Sequence, residues 1–314
     1  MSFKTIAERD SFIRDLAPLI SQSFQNCISA CPNGYLPQEP DFIAFLVRDL
    51  TQDINNLLKK YFSNGSFQTQ GIFCHQSPKV KFLNLNTNQN NCAELGDLLI
   101  VYTESINNKN PRSSALLLQA KCVSSTPHTI GANEQHQLFL YEKWPTFIYV
   151  SPSDLKGKTR SIKTIPYSEG SNYLLLSKNG SINYLYVTSI PNNPLFCRYA
   201  LASAIGKMIN FESDSGRPFI PSISEISGDD WSNMINDLIK VAKTRLFNRK
   251  NINIINGSRI NCLAFMSDNQ YNDELKIPVC SYLDDFSDLK SYEDFSGVST
   301  IIIYADLKEE KSFE

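Results

Sequence analysis

Two apolar runs between residues 94 and 121 constrain the fold more than any other part of this sequence. The runs are Leu98–Tyr102 and Ala115–Leu118, and each has the length of a β-strand. The polar stretch 105–114 between them is rich in turn-forming residues, so the pattern predicts a β-hairpin. Because Leu116–Leu118 are continuously apolar, we expect the second strand to be central in its sheet and covered on both faces.

Three polar residues fall at one end of this predicted hairpin. Asp97 opens its first strand, while Gln119 and Lys121 close the second. In an antiparallel pair the start of one strand lies beside the end of the next, so the three side chains should meet. Gln119 and Lys121 are two positions apart and therefore share a face. A carboxylate, an amide and an ammonium group gathered at the end of a buried hairpin indicate a functional cluster.

The segments around the hairpin predict helices and further strands. Amphipathic helices are expected over about 5–30, with a kink or a break at Pro18, and over about 41–61. A short helix over about 132–143 then precedes a buried strand at Phe147–Val150. This order predicts an α/β fold with a mixed central β-sheet flanked by helices.

Beyond residue 150 the pattern predicts a hairpin around Asn179-Gly180 and a helix over 195–211. A further helix is expected over 231–249, followed by strands at 252–255, 262–266 and 298–304. Basic residues gather in the C-terminal half of that last helix and just after it. The net charge is only −2, so a polyanion would have to bind through such a local patch. The candidate nucleic-acid-binding residues are Lys240, Lys243, Arg245, Arg249 and Lys250. The same charges also suit a solvated helix end.

Cysteine usage and the N-terminal segment favour a cytoplasmic location. The eight cysteines are scattered without a CxxC pair, which is typical of free thiols in a reducing compartment. The N-terminal segment carries charges throughout, and no apolar run approaches the length of a membrane span. We therefore expect neither a signal peptide nor a membrane partner.

The ordered motifs resemble the PD-(D/E)xK nuclease superfamily. Asp97 opens a strand, Gln119-x-Lys121 closes the next, and Gln137-Leu138-Phe139-Leu140-Tyr141 looks like the QxxxY motif of the RecB-like branch. The resemblance covers about residues 40–150 and implies a restriction-endonuclease-like core. It suggests a nuclease-like domain over 1–212 and a C-terminal α/β extension of unknown role over 213–314.

The resemblance implies a metal-dependent nuclease that hydrolyses phosphodiester bonds, of DNA rather than RNA. Mg²⁺ (or Mn²⁺) would be bound by the Asp97 carboxylate, the Gln119 side-chain oxygen and the Ala120 carbonyl. Lys121 would orient the attacking water or stabilise the transferring phosphate. Gln137 and Tyr141 would brace this cluster or touch the DNA backbone.

Gln119 is a departure from the superfamily, which more often has Asp or Glu at this position. A neutral amide is a weaker ligand, so a second carboxylate is expected to assist Asp97. Glu94 is one candidate, since it lies three residues before Asp97. The preceding helix offers others, and the sequence does not choose among them: Glu39, Asp41, Asp49 and Asp53.

Other interpretations remain open on the sequence alone. Asp97 can be a turn residue beside Gly96, Lys121 a strand end that emerges into solvent, and Tyr141 a core residue. A nuclease-like fold that has lost catalysis could serve as a nucleic-acid-binding or scaffold module. A protein partner could activate or target the nuclease in a defence or repair complex, as in prokaryotic systems that separate cutter from sensor; this is an analogy.

Overall fold

The computed structural model describes residue 3 and residues 5–31, 37–74, 78–107, 109–164, 170–177, 185–188, 191–247, 262–266 and 297–308. The described chain is an α/β fold in which helices cover both faces of a mixed central sheet. This confirms the fold class expected from the sequence. The restriction-endonuclease-like character of the core stays a prediction.

The α-helices are α1 (Ile6–Ala30), α2 (Glu39–Tyr61), α3 (Gln135–Lys143), α4 (Leu201–Ile209) and α5 (Asp230–Phe247), and a 3₁₀ turn, Ala132–Glu134, leads into α3. The strands are β1 (Gly65–Cys74), β2 (Lys79–Asn84), β3 (Gln89–Glu94), β4 (Leu98–Ile106), β5 (Lys109–Val123), β6 (Phe147–Ser151), β7 (Thr159–Arg160), β8 (Ser171–Ser177), β9 (Leu185–Thr188), β10 (Cys197–Ala200), β11 (Arg217–Pro218), β12 (Cys262–Met266) and β13 (Ser299–Leu307).

The larger sheet has nine strands within the described part of the chain. Its order is β10-β9-β8-β5-β4-β13-β1-β12, and β11 pairs with β5 beside this path. Two of its pairings are parallel, β5 with β8 and β4 with β13, while the others are antiparallel. A smaller antiparallel sheet follows the order β3-β2-β6-β7.

Alternate residues of the central strands pack into separate cores on the two faces of the sheet. Leu98, Ile100 and Leu118 pack with α1, α2 and α4. Leu99 and Leu117 pack with α3, α5 and the smaller sheet. The predicted covering of the second hairpin strand on both faces is confirmed, because Leu116–Leu118 are completely buried.

The hairpin of β4 and β5 is longer than the sequence suggests. The strands continue through most of the polar stretch 105–114 and turn at Asn107, whose φ is +50°. The polar residues are tolerated because they find partners inside the sheet: the hydroxyl groups of Thr103 and Ser113 lie 2.9 Å apart, and Ser114 pairs with Pro218 of β11. The turn prediction was therefore wrong in its extent.

Other local predictions also differ from the structure. Helix α1 runs unbroken through Pro18, which lies on an exposed face where water can satisfy the carbonyl group that a proline leaves unpaired. The predicted helix over 195–211 begins only at Leu201, since Cys197–Ala200 pair with β9. The strand-like run 252–255 and the Asn179-Gly180 turn lie outside the described residues.

The strand that follows α3 does not join the larger sheet. In β6, Phe147 and Tyr149 are buried whereas Ile148 is 47% exposed, the alternation of an antiparallel strand with one solvated face. It pairs with β2 in the smaller sheet, and the strand parallel to β5 is β8 instead. The strand over 147–150 was thus predicted correctly as a strand but not as a fully buried one.

Strand β13 lies inside the larger sheet, between β4 and β1. It pairs in parallel with β4 over Ser299–Leu307 and antiparallel with β1 on its other side. The domain boundary near residue 212 stays a prediction, although β13, which it assigns to a C-terminal extension, completes the sheet of the N-terminal part. The residues that β13 buries include Ile301, Ile302 and Ile303.

Candidate active site

The predicted polar cluster lies at the end of the larger sheet where β4 and β13 begin and β1 and β5 end. A small pocket opens there. Its wall comes from four parts of the chain, namely the start of α2, the end of β1, the residues before β4 and the start of β13. The lining residues are Pro40, Ile43, Phe73, Cys74, Gly96, Asp97, Gly297 and Ser299.

Asp97 and Gln119 are in direct contact, as the hairpin pattern predicts. The Gln119 side-chain amide donates a hydrogen bond to Asp97 Oδ2. The backbone N–H of Ala120 donates to the same oxygen at 2.8 Å. Within the described part of the chain no donor is bonded to Asp97 Oδ1. Asp97 therefore carries one fully engaged carboxylate oxygen and one that is available to a ligand.

The free edge of β5 explains why carboxylates gather here. Beyond Leu118, β5 has no further ladder partner in β4, so its N–H groups on that side need other acceptors. Asp97 accepts from Ala120, and Glu39 Oε1 accepts from the N–H of Cys122 at 2.8 Å. A residue in a strand points its N–H and C=O to the same side. The Ala120 carbonyl therefore faces the same edge as the two carboxylates.

Lys121 lies on the same face of β5 as Gln119 and is paired with an acid. Its ammonium group donates to Glu134 Oε1 at 2.6 Å, and its side chain is 12% exposed. Glu134 ends the 3₁₀ turn before α3 and is only half-buried. The sequence analysis assigned no role to Glu134. This ion pair keeps the Lys121 ammonium group close enough for its charge to act on Asp97.

Burial and neighbouring acids oppose ionisation of Asp97. Its burial, together with the charges of Glu94 and Glu39, raises its pKa from 3.8 to about 7. The hydrogen bond from Ala120 and the charge of Lys121 act in the opposite direction but are outweighed. A raised pKa with specific charge partners in a pocket is a feature of functional sites as well as of buried ion pairs.

Tyr141 holds the segment that leads into Asp97. Its hydroxyl group donates to the Leu95 carbonyl at 2.7 Å, and the residue is buried on α3. A Cβ atom at Gly96 would lie 2.9 Å from the Tyr141 hydroxyl and 2.8 Å from Leu117 Cδ1, so only glycine fits without displacement. Gln137 is also buried, one helical turn before Tyr141. The predicted bracing role fits Tyr141 in its contact with Leu95.

The structure distinguishes among the acids that could assist Asp97. The negative charges of Glu39 and Glu94 raise the pKa of Asp97. Glu39 also accepts a hydrogen bond from the edge of β5. The side chains of the other three candidates have different partners or neighbours. Asp41 accepts from the Gln38 N–H at the start of α2, Asp49 pairs with Arg48 and Asn26, and burial beside Asp49 raises the pKa of Asp53.

The predicted ligands around Asp97 are carboxylate, amide and carbonyl oxygens, the donor types that hard divalent cations prefer. In the described part of the chain no group of three or more His, Cys, Asp or Glu side chains is arranged to hold a metal ion. The predicted set contains only one such side chain, Asp97, because the other two ligands are an amide oxygen and a backbone carbonyl. The Gln119 Oε1 atom is buried without a hydrogen-bond partner. The amide nitrogen faces Asp97, so Gln119 would have to present Oε1 instead for both side chains to bind one cation.

Tyr173 lies next to this cluster, and the sequence analysis did not single it out. It lies on β8 in direct register with Gln119, and its ring contacts that of Tyr141 edge-on at 5.6 Å. Burial and the charges of Glu134 and Asp97 raise its pKa. The sequence offered no signal for it, since a tyrosine inside the apolar run 173–176 is typical of a core strand.

The predicted nucleic-acid-binding residues are only partly described. Lys240 is exposed on α5, and Lys243 is half-buried with its pKa lowered by that burial. Arg245 lies on α5, but its side chain is not described, and Arg249 and Lys250 lie outside the described residues. Helix α5 borders the pocket, because Val241 Cγ1 would lie 3.6 Å from a Cβ atom at Gly297.

No family model, curated protein or solved structure matches this chain. Among the described helices, none combines the length and the apolar character that crossing a membrane requires. The nuclease resemblance and the cytoplasmic location stay predictions.

Proposed function

We propose that this protein is a metal-dependent nuclease that acts on DNA. The observation that carries the proposal is the meeting of Asp97, Gln119 and the Ala120 backbone at the free edge of β5, with Glu39 from the preceding helix beside them. The resemblance to the nuclease superfamily implies a metal-binding site at this end of the hairpin. The neutral amide at position 119 is a weak metal ligand, and Glu39 supplies the second carboxylate that compensates for it.

In this proposal Asp97, the Gln119 side-chain oxygen and the Ala120 carbonyl hold the cation, with Glu39 or Glu94 adding negative charge. A bound divalent cation activates water and neutralises charge on the transferring phosphate. Lys121 stabilises charge that develops on the phosphate, and its pairing with Glu134 fixes the position of the ammonium group. Tyr141 keeps the Leu95–Asp97 segment in place through the Leu95 carbonyl.

A DNA substrate is supported by the position of α5 beside the pocket. Lys240 and Lys243 lie on this helix next to Val241, which packs near Gly297 in the pocket wall. Basic side chains on a helix can contact the phosphates of a DNA substrate. Because contacts between basic side chains and phosphates release counterions from the DNA, such binding should weaken with added salt.

The test is incubation of the purified protein with plasmid, linear and single-stranded DNA in the presence of Mg²⁺ or Mn²⁺. We expect cleavage that chelation abolishes and that Asp97→Ala and Lys121→Ala each reduce by at least about 100-fold. Lys81→Ala is the matched control, since Lys81 is an exposed lysine on the smaller sheet. No cleavage by the native protein in any format, or undiminished cleavage by both variants, would contradict the proposal.

A second candidate function is a nucleic-acid-binding or scaffold module without catalysis. The observation that favours it is the internal pairing of the cluster, in which Gln119 is bonded to Asp97 and Lys121 to Glu134. Calorimetry separates the two candidates. A binding module would hold DNA in a salt-dependent manner and show no uptake of Mn²⁺ that depends on Asp97.

A further inference from the structure

Two cysteines lie four positions apart at the C-terminal end of α1. Cys27 is completely buried within the helix, whereas Cys31 is partly exposed and follows its last residue, Ala30. The thiol of Cys27 is hydrogen-bonded to the sulfur of Cys31. The two sulfur atoms therefore already lie next to each other, one near solvent and one enclosed by the core.

The geometry at the end of the helix allows a disulfide between them. Residues four apart on a helix have Cβ atoms about 5–6 Å apart, whereas a disulfide needs about 3.5–4.5 Å, so the gap must close by roughly 1–2 Å. Cys31 can make this movement because its backbone is already extended, with φ −72° and ψ 137°. Its N–H bonds to the Ile28 carbonyl at 3.3 Å, near the upper limit for such a bond.

The hydrogen bond gives the two thiols different roles. Burial and the charge of Asp41 raise the pKa of Cys31, while the hydrogen bond from Cys27 acts to lower it. Cys27 thus donates to the Cys31 sulfur and favours its thiolate, which is the nucleophilic form of a cysteine. Burial raises the pKa of Cys27 itself. Cys31 is therefore the sulfur that an incoming reagent meets first, and Cys27 is the one that reacts afterwards.

Burial slows the reaction but does not oppose its product. The charged thiolates are disfavoured in the core, whereas a disulfide is neutral and suits the apolar surroundings of Cys27. The bond should form slowly and, once formed, be reversed only by a strong dithiol reductant.

We propose that Cys27 and Cys31 form a reversible thiol–disulfide site that reacts with small-molecule disulfides. The Cys31 thiolate attacks a disulfide RSSR, so that a mixed disulfide forms and one RS⁻ leaves. The Cys27 thiolate then attacks the Cys31 sulfur, and the second RS⁻ leaves. The two cysteine sulfurs are oxidised, RSSR is reduced, and the two thiol protons end on two molecules of RSH. Disulfides in reducing compartments are usually redox-sensing or catalytic ones of this kind.

The experiment is incubation of the reduced full chain with oxidised glutathione, followed by alkylation of the remaining thiols and peptide mapping by mass spectrometry. Both cysteines fall in one tryptic peptide, 15–48, which contains no other cysteine. We expect this peptide to lose the mass of two hydrogen atoms, to escape alkylation and to carry no glutathione. Cys92 is the control in the same digest, because it is exposed on β3 and has no thiol partner in the described part of the chain. It should keep its glutathione.

Serine variants separate the two roles. Cys27→Ser leaves Cys31 without a second thiol, so glutathione should stay bound to Cys31. Cys31→Ser should leave Cys27 reduced, since that thiol is completely buried. A melting transition checks that each variant folds, and Cys27→Ala replaces Cys27→Ser if the serine is not tolerated in the core.

The map of the native protein decides the inference even without the variants. An internal bond in peptide 15–48 that dithiothreitol reverses supports it. Glutathione that stays on Cys31, or alkylation of both thiols once Cys92 carries glutathione, overturns it. A bond from either cysteine to Cys122, whose charge also acts on Cys27, overturns it as well, because the reacting pair would then be a different one.

Discussion

At the scale of single residues, Asp97 is placed where its charged form is unfavourable in the absence of a cation. Burial and the nearby Glu94 and Glu39 outweigh the hydrogen bond from Ala120. An ionised Asp97 therefore lowers the stability of the folded protein, and functional sites commonly carry such a cost.

The Asp97 carboxyl should make the metal-free protein less stable as the pH rises. Its folded-state pKa of about 7 lies above the ordinary value of 3.8, so the folded protein holds a proton that the unfolded chain releases. Stability from this group is therefore lost between about pH 4 and 7. We expect Asp97→Asn in EDTA to be more stable than the native protein at pH 8, by on the order of 2 kcal/mol, and equally stable near pH 4.

Urea unfolding at the two pH values measures this difference. An asparagine at position 97 can still accept from Ala120 and Gln119 through its side-chain oxygen, while its NH₂ group takes the place of Oδ1. A stabilisation of equal size at both pH values would show that ionisation of Asp97 is not its cause.

Gly96 should be intolerant of even a methyl group. Alanine there would bring a Cβ within 2.8 Å of Leu117 and 2.9 Å of the Tyr141 hydroxyl. We expect Gly96→Ala to lower the free energy of unfolding by about 1–3 kcal/mol, the usual effect of overpacking. Gly131→Ala is the control, since a Cβ there meets nothing within 4 Å and should cost less than about 0.5 kcal/mol. Equal urea midpoints for the two variants would contradict the close approach.

At the scale of elements, the end of β5 depends on carboxylates in place of a neighbouring strand. Glu39, at the first position of α2, provides the acceptor for Cys122. We expect Glu39→Ala to lower the free energy of unfolding by roughly 1 kcal/mol or more, because the Cys122 N–H loses its acceptor. Glu39→Gln keeps an acceptor oxygen and should be nearly neutral in stability.

The same pair of variants separates the structural from the electrostatic contribution of Glu39. If Glu39 also assists a cation, Glu39→Gln should weaken Mn²⁺ binding in calorimetry while its urea midpoint stays unchanged. Unaltered Mn²⁺ affinity would restrict Glu39 to its hydrogen bond with the strand edge.

The elements that the sequence predicts well are those whose pattern is local. The apolar face of α2 repeats with helical spacing, and the β4–β5 hairpin has two apolar runs close together in sequence. Which acid of α2 lies near Asp97 could not be predicted, because it depends on how α2 is rotated against the sheet. Tyr173 was hidden for a similar reason, since its neighbourhood is created by the parallel pairing of β5 and β8.

At the scale of the whole molecule, β13 lies between β4 and β1 and so adds residues 299–307 to a sheet built largely from earlier parts of the sequence. Its parallel pairing with β4 joins residues that are far apart in sequence, and no local pattern specifies such a partner. The run 298–304 was predicted as a strand, but its position in the sheet could not be.

Residues 1–212 should not form an independent domain. Without β13 the strands β1 and β4 lose their shared partner, and without α5 one face of the sheet loses Trp231, Ile235 and Leu238 from its core. We expect a chain ending at residue 212 to show no cooperative urea transition by circular dichroism, whereas the full chain unfolds cooperatively. A stable and cooperative 1–212 fragment would restore the division near residue 212.

The position of β13 also has a consequence for how the protein is made. Ribosomes synthesise β1 and β4 long before the strand that must lie between them, so the nascent chain carries two unmatched strand edges until β13 emerges. Gly297 and Ser299, which line the pocket beside Asp97, arrive with that strand. We therefore expect the candidate site to stay incomplete during translation until residues 297–299 have been added.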